Sequence, residues 1–140
     1  MFRSLSQKTS YHGDSKMESK FEYEHGWIDY EYIESDKTIE LDLIIVDREH
    51  RQEGAGTALM AAFFSYLEHT YDFFAVRLTV CSETVSNHEP GPSDHDLTQW
   101  YASFGFTVYD YVICNDRECA RMVILPSEMR GYLHGYKSRD

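Results

Sequence analysis

Apolar and polar residues alternate along three stretches in the first third of the chain. Over 21–25 and 27–34, aromatic or aliphatic residues alternate with acids, a pattern typical of half-buried strands. Gly26 is placed to make a tight turn between them. Residues 35–37 then predict a second turn, and Thr38–Val46 predicts a third strand. The pattern therefore predicts an antiparallel meander.

Helical spacing replaces this alternation in the middle of the chain. A predicted helix over 56–69 has one apolar face, formed by Leu59, Phe63, Tyr66 and Leu67. A β-rich run follows at 74–81. Because it comes after a crossover helix, we expect it to lie parallel to the strand that ends at Val46.

The second half of the chain predicts one more helix and a final hairpin. Ser93, with Asp96 three residues later, is typical of a helix N-cap and predicts a helix over 94–104. Residues 106–114 and 120–125 predict the two strands of the hairpin. The element order β-β-β-α-β-α-β-β predicts an α+β fold, with a mixed, mostly antiparallel sheet and two main helices.

Three segments carry no such pattern. We expect 1–20 to be an irregular N-terminal tail, 82–92 to be a long polar loop, and 127–140 to be a C-terminal tail. The predicted domain therefore spans 21–126.

Composition narrows the classes of function. With 140 residues the chain suits one domain. A formal net charge of -11 argues against nucleic acid as a partner and favours cationic acceptors such as a lysine, a polyamine or an aminoglycoside. The chain has no apolar run of bilayer length and no signal-peptide pattern in its first twenty residues. We therefore expect a cytoplasmic protein without a membrane partner.

The three cysteines give no metal pattern in sequence. Cys81, Cys114 and Cys119 cannot all pair with one another, and their spacing matches no zinc motif. We expect reduced, mostly buried thiols and no metal cofactor. The histidines of the 82–92 and 93–96 regions are expected to be surface residues.

A glycine-containing turn is the strongest candidate for a binding site. Residues 42–56 read DLIIVDREHRQEGAG, a strand that runs into a turn in which Gly54 and Gly56 open a helix. The first amides of a helix lack intrahelical partners and attract anions such as a pyrophosphate. No lysine follows Gly56, which excludes a P-loop, and Leu59 stands where a dinucleotide fingerprint needs a third glycine.

Two motifs resemble those of the GNAT N-acetyltransferases. The spacing Val46-x-x-x-x-Arg51-x-x-Gly54-x-Gly56 resembles the family's acetyl-coenzyme A signature. About fifty residues later, Tyr101 stands four residues before a Gly-Phe pair, which resembles the family's second hallmark. The resemblance implies a GNAT fold and acetyl-coenzyme A as co-substrate.

The resemblance also implies which residues hold this cofactor. The backbone of the strand end aligns the pantetheine arm, and the amides of the turn surround the pyrophosphate. The residues implied are Ile45, Val46, Arg51, Gln52, Glu53, Gly54, Ala55, Gly56 and Thr57.

Candidate catalytic groups follow from the needs of amine acetylation. Tyr101 is the candidate general acid that protonates the departing thiolate, although its aromatic neighbours also fit a purely structural role. Glu40 and Asp42 are candidate bases, because two residues of one strand spaced by two share a face. The family often places a glutamate six residues before the strand-ending valine, and Glu40 has that position. A solvated strand face and a water chain are the alternatives.

The short N-terminal region is similar to that of compact GNATs found in phages, which lack the first strand and first two helices and include small anti-CRISPR acetyltransferases. That layout implies a host cytoplasm if the chain is phage-encoded. We expect transfer of an acetyl group to a primary amine, such as a protein lysine or N-terminus. A catalytically weak binding protein that blocks a host factor, and a small-molecule or polyamine acetyltransferase, remain as alternatives. Edge strands leave homodimerisation open.

Overall fold

One seven-stranded sheet organises the molecule. The computed structural model describes residues 8–9, 16–50, 54–81, 93–114 and 116–138. The strands are β1 (Lys8–Thr9), β2 (Lys16–Tyr23), β3 (Gly26–Ile33), β4 (Thr38–Val46), β5 (Ala75–Thr79), β6 (Thr107–Cys114) and β7 (Arg117–Ile124). Their spatial order is β1-β2-β3-β4-β5-β7-β6. Among the described strands, only the β4–β5 pair is parallel, which confirms the predicted α+β class and its mixed, mostly antiparallel sheet.

Three α-helices accompany the sheet in the described ranges. They are α1 (Ala55–Thr70), α2 (Asp94–Ala102) and α3 (Pro126–Ser138), and a 3-10 turn, Arg48–His50, follows β4. The predicted helix over 56–69 is confirmed as α1. The predicted N-cap of α2 is also confirmed, because Ser93 Oγ accepts a hydrogen bond of 3.0 Å from the amide of Asp96. The predicted loop over 82–92 lies outside the described residues.

The predicted irregular N-terminal tail and the predicted C-terminal tail are wrong where the structure describes those residues. Residues 8–9 and 16–20 belong to β1 and β2, and Lys16 pairs with Ile33. Main-chain hydrogen bonds to β3 extend the meander through a polar stretch that has no clear period. At the other end, α3 occupies most of the expected C-terminal tail. Met129 and Leu133, four residues apart, are buried and supply the apolar face that holds α3 to the core. The limits of the domain stay a prediction.

Gly26 has a different role from the one predicted. The turn between β2 and β3 is made by Glu24, with a φ of 42°, and His25. Gly26 is instead the first residue of β3, directly opposite Val46. A Cβ at this position would collide with the carbonyl oxygen of Ile45. Glycine is therefore required for close approach of β3 to the end of β4.

The hydrophobic core lies between one sheet face and the helices. Phe63 of α1 packs against Phe21 and Tyr30, with ring centroids 5.5 and 5.2 Å away. Phe64 of α1 meets Phe106 and also Tyr132 of α3. In the part of the chain that the structure describes, no helix is long and apolar enough to cross a membrane.

The sheet ends in an exposed strand on the far side from β1. Every residue of β6 from Thr107 to Ile113 is exposed, including five large apolar side chains: Val108, Tyr109, Tyr111, Val112 and Ile113. Because β6 pairs only with β7 in the described sheet, one of its edges faces outward.

Replacing Gly26 tests the close approach of β3 to β4. We expect Gly26→Ala to lower the free energy of unfolding by about 1–3 kcal/mol, because the strands must separate to admit the methyl group. Gly131→Ala is the matched control, since a Cβ there meets nothing within 4 Å in helix α3, and it should be neutral or stabilising by up to ~1 kcal/mol. Urea unfolding measures both variants. Equal stability of the two would contradict the collision.

Candidate active site

The parallel pairing of β4 with β5 stops halfway along β4. Pairing runs from Thr38 opposite Ala75 to Leu41 opposite Leu78. Beyond that point β4 continues along β3 to Val46, while Thr79 of β5 remains paired with β7. Each strand thus keeps its outer neighbour after the two have parted. The sheet opens between them, and the main chain of β4 faces this opening.

A β-bulge marks the same point on β4. Asp29 of β3 stands opposite Leu43, while Tyr30 stands opposite Leu41, so Asp42 is the extra residue. A bulge bends its strand and increases the local twist. It also interrupts alternation, so the argument that Glu40 and Asp42 share a face because they are two apart does not hold across it. Glu40 is half-buried and Asp42 is exposed.

Helix α1 begins directly beside the end of β4. Gly54 has a φ of 80°, a left-handed conformation that favours glycine, and its carbonyl accepts a 3.0 Å hydrogen bond from the amide of Ala58. Among the residues that the structure describes, no side chain caps this helix, and its first turn, from Ala55 to Ala58, holds no acidic residue. The first amides of α1 therefore remain suited to an external anion. Arg51, Gln52 and Glu53, predicted to complete the turn, lie outside the described residues.

Gly56 brings three elements together. A Cβ built on it would lie 3.1 Å from Cζ2 of Trp100 and 3.7 Å from Cγ2 of Val46. The end of β4, the start of α1 and the C-terminal part of α2 are therefore adjacent. The two sequence motifs, which are about fifty residues apart, thus meet in space through Trp100, the neighbour of Tyr101. The binding roles of these residues stay a prediction.

Two histidines stack beside this turn. The rings of His25 and His50 have centroids 3.6 Å apart and are nearly parallel, and the carbonyl of His25 accepts a 2.7 Å hydrogen bond from the amide of Asp47. These contacts tie the β2–β3 turn to the 3-10 turn that follows β4. The sequence alone does not place His25 beside this turn, because its position depends on pairing between strands.

Tyr101 is buried in an aromatic environment. Only 7% of the residue is exposed, and its ring lies 5.2 Å from that of Trp100 and 5.7 Å from that of Phe106. Burial raises the pKa of the Tyr101 hydroxyl to about 12, because the phenolate form would lose its hydration. The hydroxyl therefore keeps its proton at neutral pH, as a general acid requires. The same contacts also fit a structural role.

Glu40 is held by two arginines. Its Oε1 and Oε2 accept hydrogen bonds from Arg121 Nη1 and Nη2 at 3.3 and 3.2 Å. Arg77 Nε lies 3.2 Å from Oε2, an ionic contact without hydrogen-bond alignment. Burial opposes the charge of Arg121, but Glu40 outweighs it and the pKa of Arg121 is raised. Glu40 thus joins β4, β5 and β7.

The arginines around Glu40 were missed from the sequence. Arg77 alternates with the buried Val76 and Leu78 on β5, and Arg121 precedes the buried Met122 on β7. This alternation places both on the polar face of the sheet. It does not show that β5 lies between β4 and β7, which is what brings the charges together.

Cys81 does not qualify as a nucleophile of this site. Burial and the neighbouring Cys119 thiol raise the pKa of Cys81 to about 11, so the reactive thiolate is scarce at neutral pH. Cys81, Cys114 and Cys119 are all free thiols.

Comparison with known proteins gives matches only among solved structures. No protein-family model and no curated protein matches the chain. Ard1 from Thermoplasma volcanium is similar, with a TM-score of 0.54 at 23% identity over 72% of this chain and 62% of Ard1. A chimera of the spermidine N-acetyltransferase SpeG from Vibrio cholerae and hSSAT has a TM-score of 0.62 at 20% identity, covering 86% of this chain and 74% of the chimera.

A third similar structure contains a ligand. Arabidopsis thaliana Naa50, in complex with the bisubstrate analogue CoA-Ac-MVNAL, has a TM-score of 0.51 at 19% identity over 71% of this chain and 64% of Naa50. The chain therefore spans less than two thirds of the length of Ard1 and of Naa50.

Neutralising Glu40 tests its structural role. We expect Glu40→Gln to lower the free energy of unfolding by roughly 1–3 kcal/mol, because two half-buried guanidinium groups lose their shared counter-charge. Asp72→Asn is the control, since Asp72 pairs with Lys37 at 3.6 Å with 88% of its side chain exposed and should cost less than about 0.5 kcal/mol. Urea unfolding at low salt measures both. An unchanged Glu40→Gln variant would rule out the structural role.

Proposed function

We propose, from the GNAT acetyltransferase fold that the chain shares with these structures, that it transfers an acetyl group from acetyl-coenzyme A to a primary amine, and that this amine is a protein lysine or N-terminus. The opening between β4 and β5, which ends where Val46 meets Gly56, is the observation that carries the proposal. It offers a strand edge and a helix N-terminus side by side.

The strand edge and the helix N-terminus suit different parts of the cofactor. The backbone of Ile45 and Val46 would align the pantetheine arm as an added strand. The amides of Gly54, Ala55, Gly56 and Thr57 would bind the pyrophosphate. Arg51, Gln52 and Glu53 complete the proposed turn. Acetyl-coenzyme A, when bound, supplies a thioester that an amine can attack.

The reaction requires two proton transfers. The amine nitrogen forms a bond to the thioester carbonyl carbon as the bond from carbon to sulfur breaks. Tyr101 would give its proton to the departing sulfur, and a carboxylate would take the proton that the amine loses. Of the two candidate bases, the exposed Asp42 suits this role better than Glu40, because Glu40 is engaged by two guanidinium groups.

Acidic groups near the opening favour a cationic acceptor. Asp42, Asp47 and Glu49 are exposed around the end of β4, and the chain carries a net charge of -11. Such a field attracts an ammonium group. The bisubstrate analogue bound to Naa50 contains a peptide, which supports a protein amine as the acceptor. SpeG is a spermidine N-acetyltransferase, so spermidine is the substrate for comparison.

Cofactor binding and turnover together test the proposal. Thermal melting should show stabilisation by acetyl-coenzyme A and by coenzyme A, since both carry the pyrophosphate. Thiol release should then follow with lysine peptides and N-terminal peptides, and more slowly with spermidine. Stabilisation without turnover on any amine would instead support a catalytically weak binding protein with this fold.

Tyr101→Phe separates catalysis from binding. We expect kcat to fall on the order of 100-fold, as for loss of a general acid, with the Kd for coenzyme A nearly unchanged. Tyr132→Phe is the control, because it removes another hydroxyl from the same aromatic core. An unchanged kcat in Tyr101→Phe would leave the residue with a packing role only.

Gly54→Ala probes the pyrophosphate turn. A Cβ at Gly54 meets nothing within 4 Å, so the cost to folding is only that of a left-handed alanine, about 1–2 kcal/mol. We expect a loss of affinity for coenzyme A of at least 10-fold, or about 1.4 kcal/mol, measured by calorimetry. Gly54→Asn places a larger side chain beside a ligand than alanine does, but it tolerates the left-handed backbone better. If it restores stability and affinity alike, the loss came from folding, not from the phosphate site.

A further inference from the structure

Three cysteines that are far apart in sequence meet at one corner of the sheet. Cys81 follows β5, Cys119 lies in β7, and Cys114 ends β6. The three sulfur atoms all lie within 4.8 Å of one another, and those of Cys81 and Cys119 are 3.6 Å apart. Since β7 lies between β5 and β6 in the sheet, strand order creates a cluster that residue spacing cannot show.

The separation of the sulfurs suits a shared metal ion. A zinc–thiolate bond of about 2.3 Å requires sulfur atoms to be about 3.8 Å apart in a tetrahedral site and about 4.0 Å apart in a trigonal one. The observed distances, 3.6 Å for one pair and within 4.8 Å for the set, need adjustments of less than about 1 Å. A disulfide would use two sulfurs and leave the third without a role.

An arginine lies beside the cluster. Arg117 lies close enough to Cys119 and Cys81 for electrostatic interaction, and its guanidinium is held by Asp94 at 2.9 Å. Three thiolates and a divalent ion carry one net negative charge, which a neighbouring guanidinium offsets. Cys119 is buried while Cys81 and Cys114 are half-buried, so an ion can enter from solvent.

We propose that Cys81, Cys114 and Cys119 bind a thiophilic metal ion, Zn²⁺ or a chemically similar soft ion, through three sulfur ligands. On binding, each thiol releases its proton to solvent and forms one bond from sulfur to metal, with no change of oxidation state. The fourth position is open to water or an external ligand. The ion is structural and takes no part in acetyl transfer.

An ion at this corner would add a link between three neighbouring strands. It links the ends of β5, β6 and β7, and through Arg117 and Asp94 it adjoins the start of α2. Binding to the folded state alone raises stability by mass action. The site therefore has a readout that does not depend on any enzymatic activity.

Metal titration of the full chain tests the proposal. Reduced protein under oxygen-free conditions is titrated with Cd²⁺, which absorbs in the ultraviolet when bound to thiolates, and Zn²⁺ affinity is measured against a competing chelator. We expect one ion per chain, protection of all three thiols from alkylation, and a rise in Tm with Zn²⁺.

Serine variants identify the ligands. Cys114→Ser and Cys81→Ser should each weaken Zn²⁺ binding by more than about 100-fold, since loss of a ligand exceeds the 10–100-fold cost of losing an outer-shell partner. Each should also lose one of the three protected thiols. Glu118→Gln is the matched control, because it removes an exposed carboxylate between Arg117 and Cys119 and should bind as the wild type does.

Three results would overturn the proposal. The first is no stoichiometric uptake of Cd²⁺ or Zn²⁺ by the reduced chain. The second is equal affinity in the serine variants and the wild type, which would indicate adventitious surface binding. The third is equal loss of affinity in Glu118→Gln. Thermal melting without metal shows whether each variant is folded. If Cys81→Ser does not fold, the Zn²⁺ affinity of Cys114→Ser decides the test.

Discussion

The parting of β4 from β5 is the constraint on which the candidate site depends. Adjacent parallel strands normally exchange hydrogen bonds along their full shared length, and here the exchange ends at Leu41 and Leu78. The bulge at Asp42 bends β4 at this point, and β7 keeps β5 paired on its other side. Main-chain hydrogen bonds between β4 and β5 are therefore missing inside the sheet. This loss is tolerable where another chain or a ligand can supply hydrogen-bond partners for the main chain.

Contacts on both sides of this opening hold the elements that border it. Gly26 allows β3 to remain against the end of β4, and Glu40 ties the paired half of β4 to β5 and β7. Gly56 allows Trp100 of α2 to approach the start of α1. Small residues thus permit close approach around the opening, while the ion pairs below it hold the strands together. Stability and the proposed binding function are assigned to different parts of β4.

Local patterns predicted most of the fold. Alternation located β3 and β4, apolar spacing located α1, and the serine N-cap located the start of α2. Two errors arose where distant parts of the chain hold a segment in place. Main-chain pairing with β3 extends β2 through a polar stretch, and packing against the core holds α3. The spacing of Met129 and Leu133 was a signal for α3, but it is short and interrupted by Gly131. The sequence of β4 does not predict its bulge, because a bulge depends on the register between two paired strands.

The candidate site was predicted where its residues are near in sequence. The adjacency of Val46 and Gly56 follows from a strand, a short turn and a helix. The partners of Glu40 come from two other strands, and the cysteine cluster from three. Such groups depend on strand order in the sheet, and the order β5-β7-β6 cannot be derived from spacing. Motif-based reasoning therefore finds a phosphate turn and overlooks a sulfur cluster.

Two opposing forces act between copies of the molecule at the exposed β6 strand in solution. Its apolar side chains and outward edge favour contact with another copy, whereas a charge of -11 makes copies repel. Dissolved salt screens the repulsion beyond about 10 Å at 0.1 M and leaves the attraction between apolar surfaces intact. We therefore expect long-range charge to keep copies apart in dilute buffers, and the apolar edge of β6 to favour association in concentrated salt.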